Sequence, residues 1–183
     1  FPVEELATFR KRDSRLQGHP ATKEGRHGIR VASGSLGQGL SVALGVSLAK
    51  KLDGDDKLIY VLTGDGELQE GLVWEAAMSA SNHKLDNLCW VVDNNDCQID
   101  GRVKDIMSVY PIKEKFEAFN FDVIEIDGHN YEEIIEAFDR FKNNQKEKIG
   151  KPTCIVAKTY MGKGVSFMND QYGWHGIPPN QEQ

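Results

Sequence analysis

The sequence predicts an α/β fold, an open and mostly parallel sheet with helices on both faces. Two observations carry that prediction and a third locates its working edge. Short apolar runs at Leu58–Leu62 and Leu88–Val92 have the length and composition of strands buried on both faces. Between them Leu72–Lys84 reads as a crossover helix, so the three segments make one βαβ unit with parallel strands. Each apolar run then ends in a polar loop: Gly64-Asp65-Gly66-Glu67 after the first, Asp93-Asn94-Asn95-Asp96 after the second. Loops beyond the carboxyl ends of adjacent parallel strands form the crevice where open α/β sheets bind ligands.

The other elements follow in chain order. Pro2–Arg15 is charged, with Val3, Leu6 and Phe9 at helical spacing, and reads as an amphipathic opening segment. Leu16–Val31 has no periodicity and reads as a surface loop bearing His19, Arg26 and His27, the last two as surface groups. Ser35–Leu52 reads as a helix with Ser35 as N-cap; Leu40, Ala43, Leu44, Val46 and Leu48 make it apolar on more than one side, which predicts burial. Asp53-Gly54-Asp55-Asp56 ends it in a turn. Arg102–Tyr110 reads as an exposed connection, Ile112–Phe119 as a short helix and Phe121–Ile126 as a strand. Tyr131–Lys142 is an amphipathic helix with Ile134, Ile135, Phe138 and Phe141 inward, Asn143–Lys151 a polar linker, and Thr153–Lys158 another buried strand.

At 183 residues the chain reads as one domain, long enough for a substantial core. Its net charge is −6 and its 22 basic residues form no stripe, which argues against nucleic acid. No apolar run approaches the ~20 residues of a membrane span, and the start has no signal-peptide pattern. Cys89, Cys97 and Cys154 lack metal-site spacing and read as reduced thiols of a cytoplasmic protein. Phe1 in place of Met suggests a fragment or a processed piece.

Asp65 and Asn95 offer hard oxygen donors, suited to Mg²⁺ or Ca²⁺. They are too few for an all-protein cage, so phosphate oxygens and water would complete the shell. Either loop alone reads as a tight turn; both at predicted strand ends, with 27 residues from Glu67 to Asp93 between them, read as one site. With Gly-Asp-Gly and Asn-Asn at its ends, this stretch resembles the metal–diphosphate motif of thiamine-diphosphate enzymes. Within it, Gly66-Glu67-Leu68-Gln69-Glu70-Gly71 and Trp74-Glu75-Ala76-Ala77 resemble transketolases. So do Gly18-His19-Pro20, Gly34-Ser35-Leu36-Gly37-Gln38-Gly39, Lys158-Thr159 with Gly162-Lys163-Gly164, and His175-Gly176. Gly162-Lys163-Gly164 lacks the full spacing of a nucleotide loop. The likeness covers the whole chain but only part of a transketolase. Two further His-bearing segments and the pyrimidine-side half lie outside it, which is similar to members that divide the halves between separate chains.

The resemblance implies a thiamine-diphosphate-binding fold and a set of roles. Asp65 and Asn95 would bind the metal through side-chain oxygens, and Cys97 through its backbone carbonyl. Gly34, Ser35, Leu36, Gly66 and Ile99 would lie against the cofactor. His19 would line the funnel to it, and His175 would meet the diphosphate and the substrate. Glu70, with Glu75, would face a partner's activating glutamate, and the small residues Ala76, Ala77, Ser79, Ala80 and Ser81 would face a second subunit. Glu67, Asp93 and Asp96 are read as lying where metal and diphosphate bind. The implied activity moves a two-carbon ketol unit between sugar phosphates of the pentose phosphate pathway. It needs thiamine diphosphate, Mg²⁺ (or Ca²⁺) and a pyrimidine-side chain in a homo- or hetero-oligomer, and the chain alone would be silent. Three other readings stand beside it. One is a 2-oxo acid dehydrogenase-type subunit, against which Gly-His-Pro and Ser-Leu-Gly-Gln-Gly argue. The others are a non-catalytic cofactor-holding module and a metal-binding α/β fold without thiamine.

Overall fold

The computed structural model describes residues 2–25, 27–180 and 182; Arg26, read above as a surface group, lies outside them. Four strands form one parallel sheet in the order β1-β2-β6-β5, built from β1 Ile59–Gly64, β2 Leu88–Asn94, β5 Asp122–Asp127 and β6 Thr153–Lys158. A separate antiparallel pair joins β3 Cys97–Gln98 to β4 Gly101–Arg102. The helices are α1 Gln38–Leu52, α2 Gly71–Asn82, α3 Val103–Ile106, α4 Ile112–Ala118 and α5 Tyr131–Lys146.

Side chains alternate across the sheet, and each set meets its own layer. Trp90, Val92, Cys154 and Val156 join Leu40, Val73, Ala77 and Phe116 in a core under α1, α2 and α4. Cys89 and Ile155 face the other way, onto Ala137 and Phe141 of α5. Trp90 sits at the centre of the larger core, edge-on to Phe116 at 4.7 Å, and its indole N–H donates to Thr63 Oγ1 at 2.9 Å. That bond satisfies the one polar atom that so large a ring brings into a core. The register pairs Gly64 with Asp93. The two predicted ligand loops therefore leave the sheet side by side.

Several expectations change in detail. The first helix starts at Gln38, its N-cap is Gly37 in the left-handed region, and no side chain caps it, so Ser35 is not the cap. Val46 is 41 % exposed and Ser47 is fully buried, so the buried stripe of α1 differs from the apolar list. Ser47 is admitted to the core because its hydroxyl donates to Asn87 Oδ1 at 2.6 Å and its carbonyl accepts from Asn87 Nδ2 at 3.0 Å. In α2 the small residues Ala76, Ala77 and Ala80 are buried in the chain's own core, so they allow α2 to approach α1 and the sheet rather than a second subunit. In α5, Phe141 is buried but Ile135 is 60 % exposed, because a 16-residue helix keeps a narrower inward face than the four apolar positions suggest. The helix runs through Asn143–Lys146, which the sequence reads as linker. The 102–110 connection is not wholly exposed: Val103 and Val109 are buried, and α3 lies within it. Val3, Leu6 and Phe9 are all more than half exposed and build no core.

Candidate functional site

Asp65 is the first residue beyond β1, and its backbone N–H still bonds to the Asp93 carbonyl at 3.1 Å. Its side chain turns back into the loop. Oδ1 accepts from the Gly66 N–H at 2.9 Å, and Oδ2 from the Asp96 N–H at 2.6 Å. The residue is 1 % exposed, and burial pushes its carboxyl up to about 6 against those two bonds, with Asp93 and Asp96 adding negative charge. A buried carboxylate among other carboxylates is a place where a cation lowers the free energy.

The second loop is folded on itself. Asn95 Oδ1 accepts from the Cys97 N–H at 2.8 Å, and Asn95 Nδ2 donates to Asp93 Oδ2 at 3.1 Å. Asp93 also accepts from the Thr159 hydroxyl. Asp96 holds φ 58°, in the left-handed region that non-glycine residues seldom adopt. It is pinned there because its Oδ1 accepts from the Lys104 N–H at 3.0 Å and its carbonyl from the Val103 N–H at 3.1 Å. This turn aims Cys97 into the protein, 4 % exposed, and leaves Ile99 at the tip of the β3–β4 pair, 75 % exposed. Tyr110 closes the site from behind, its hydroxyl donating to Asn94 Oδ1 at 2.8 Å. Burial, and then the Asp65 and Asp96 charges, raise its phenol above the ordinary range.

No three His, Cys, Asp or Glu side chains converge as a metal site among the described residues. The donors on offer are one carboxylate, one amide oxygen and backbone carbonyls, an all-oxygen set with places left for phosphate oxygens. That chemistry fits Mg²⁺ or Ca²⁺.

A second cluster lies beside the first. Gly34, at φ 120°, abuts His19: a Cβ there would come within 2.8 Å of the imidazole. Ser35 and Leu36 follow, exposed, before α1. Glu67 joins this loop to the Gly-Asp-Gly turn, accepting from the Gly37 N–H at 2.8 Å and the Gly64 N–H at 3.3 Å. Glu67, Asp93 and Asp96 all lie at these loops, and each carboxylate accepts from neighbouring donors. Gly66 packs against Gln98, where a Cβ would approach to 3.3 Å. Glu70 is exposed, and its stem lies under Gly37.

His175 is exposed and follows the Tyr172–Trp174 turn, which packs on β4. Arg102 ties that segment down. Its guanidinium donates to Asp170 Oδ1 at 2.7 Å, to the Asp170 carbonyl at 2.5 Å and to Cys97 Sγ at 3.4 Å. The fold thus brings together Asp65, Asn95, Cys97, Gly66 and Ile99, docks the His175 segment beside them, and sets His19 with Gly34 on the adjoining loop. The sequence reading did not find the bond from Gly37 to Glu67 or the role of Arg102 on Asp170, since those partners lie 30 and 68 residues apart.

Paired loops at the ends of adjacent parallel strands, with oxygen donors and a glycine-lined loop alongside, make a crevice of the kind in which open α/β sheets bind ligands. The family described as transketolase, thiamine diphosphate binding domain, matches residues 1–183, and the chain belongs to it. Its relatives include one of the subunits of an apulose-4-phosphate transketolase of Actinobacillus succinogenes, 40 % identical over 183 residues, which are all of this chain and 64 % of the relative. Another is the human transketolase, 42 % identical over 177 residues, 95 % of this chain and 27 % of that protein. Among solved structures, the transketolase of Campylobacter jejuni aligns with a TM-score of 0.83 at 38 % identity, covering 94 % of this chain and 27 % of that one. The chain spans less than two thirds of the length of the curated relatives it matches. These relatives and that solved structure are transketolases, which argues against the 2-oxo acid dehydrogenase reading.

Proposed function

We propose that this chain is the diphosphate- and metal-holding part of a transketolase that moves a two-carbon ketol unit between sugar phosphates. The observation that carries the proposal is the abutment of two loops, Gly34–Gly37 and Gly64–Glu70, at the sheet end where Asp65 and Asn95 follow adjacent strands. Asp65 and Asn95 would hold Mg²⁺ or Ca²⁺ through side-chain oxygens, with the Cys97 carbonyl and diphosphate oxygens completing the shell. Gly34, Ser35, Leu36, Gly66 and Ile99 would bear on the cofactor, and the exposed Leu36 and Ile99 supply apolar surface for its rings. Thiamine diphosphate, when bound, supplies the electron sink for carbon–carbon cleavage. The chain's own residues anchor its charged end, exclude water there, and present His19 and His175 toward substrate.

A second chain or segment with the pyrimidine-side domain is part of this reading, since several relatives are named as single subunits of divided transketolases. Exposed Glu70 would face that partner. Three buried, unbridged cysteines favour a reducing compartment such as the cytoplasm, and no helix among the described residues is long and apolar enough to cross a membrane. Calorimetric titration with thiamine diphosphate, with and without Mg²⁺, tests the assignment. Metal-dependent saturable binding is expected, and no binding under either condition would sink it.

A further inference from the structure

Glu67 touches both loops of the site and is the only side chain among the described residues that hydrogen-bonds to the Gly37 N–H. Both of its contacts answer a backbone need. The amides of Ile59, at the start of β1, and Asp65, just beyond its end, donate inward, to the Asn87 carbonyl at 2.8 Å and the Asp93 carbonyl at 3.1 Å. Amides two apart along a strand point the same way, so those of Tyr60, Leu62 and Gly64 point off the free edge of the sheet. The Gly64 amide is met by Glu67 Oε2. Gly37 is the N-cap of a 15-residue helix with no acidic residue in its first turn and no side-chain cap, and its N–H is met by Glu67 Oε1. A carboxylate there also faces the positive end of the helix dipole. Gly37 is locked as well: its φ of 78° favours glycine, and a Cβ would come within 3.2 Å of the Glu70 stem.

We propose that Glu67 is a positioning residue whose carboxylate sets the separation between the Gly34–Leu36 backbone and the Asp65 carboxylate, and so between two holds on one cofactor. This rests on the function proposed above. Glu67 does not touch the cofactor; it acts through the Gly37 and Gly64 amides. A glutamine in its place has one acceptor oxygen instead of two, so it can keep one of these amides but not both.

The test uses the labelled chain as wild type, E67A and E67Q. It measures amide exchange by NMR and thiamine diphosphate affinity, at saturating Mg²⁺, by calorimetry. In E67A the Gly37 and Gly64 amides should exchange about ten- to a hundredfold faster while those of β2 and β6 keep their rates, and affinity should fall about tenfold. E67Q should keep protection at one of the two amides, Gly37 having the shorter bond, and should recover part of the affinity. If E67A does not fold, E67Q decides on the same readouts. Unchanged Gly37 and Gly64 exchange in E67A, or unchanged exchange at both amides in E67Q, would overturn the bonds, and faster exchange with unchanged affinity would overturn the positioning role. A wild-type chain that binds no thiamine diphosphate would overturn the proposed function, and the cofactor role of Glu67 with it.

Discussion

Asp65 is 1 % exposed and accepts two backbone N–H bonds, yet its carboxyl is pushed up to about 6. A side chain kept for stability alone would not be an acid in that position, because the desolvation of its charge opposes folding. Cys97 differs: burial raises its thiol and Arg102 opposes that, and only its backbone carbonyl is invoked at the metal. Thiolate is a soft ligand that Mg²⁺ does not prefer. Asp65→Ala should therefore abolish Mg²⁺-dependent binding of thiamine diphosphate, whereas Cys97→Ser should change it by less than about threefold. Equal losses in calorimetry would contradict the ligand assignment.

At the scale of elements, the β3–β4 pair and the segment that carries His175 are docked by one guanidinium. Asp170 sits at φ 58° with its N–H on the Met161 carbonyl at 2.7 Å, which closes the 161–170 turn before Arg102 grips it. Arg102→Gln should speed amide exchange across residues 161–175 a few-fold to about tenfold, since partly exposed pairs contribute modestly. Asp170→Asn should do less, because the carbonyl of residue 170 still accepts from Arg102. The pH dependence has a definite sign. The hydrogen bond from Arg102 holds the Asp170 carboxyl below its ordinary 3.8, so its contribution is present above that value and is lost as pH falls through the lowered one. The wild-type to Asp170→Asn exchange ratio should be flat from about pH 5 to 8 and converge only in acid. A ratio that changes near neutrality would mean another group holds the segment. On the opposite face of the sheet, Phe141 is fully buried against Tyr60 at 5.4 Å. Phe141→Ala should cost about 3–5 kcal/mol in chemical denaturation.

For the whole molecule, one edge decides how the isolated chain behaves. Among the described residues β1 pairs only with β2, and along it Tyr60 is 48 % and Leu62 69 % exposed. An apolar edge strand with outward amides invites association. Sedimentation velocity on the isolated chain should show concentration-dependent association that Leu62→Lys reduces. The alanines of the α2 small-residue face, the expected source of such behaviour, are already buried in the chain's own core, with Ser79 and Ser81 half-buried beside them. The chain alone should be silent in two-carbon transfer from ketose to aldose, and gain that activity with a pyrimidine-side chain. Full turnover by the purified chain alone would end this division of labour.

Much of this was legible in the residues themselves. The apolar runs before Gly64 and before Asp93 are both parallel strands, but only the second is buried as expected, because β1 is the edge strand and exposes Tyr60 and Leu62; Thr153–Lys158 is a buried strand over the span the sequence indicates. Local chemistry was enough to place the strands and the glycine turns, because strand and turn preferences are set by neighbours along the chain. The positions of Asp65 and Asn95 just beyond adjacent strand ends followed from the same local order. Tertiary structure alone decided the rest. Glu67 reads as one more acid in a ligand loop until Gly37, thirty residues earlier, is folded against it. Ile135 and Ala77 look alike in an apolar pattern, and only the packed layers expose the one and bury the other. Arg102 in turn gains a purpose from Asp170, 68 residues on. A sequence records which groups can donate, accept or be buried; which of them meet across the chain is fixed by packing that no local period encodes.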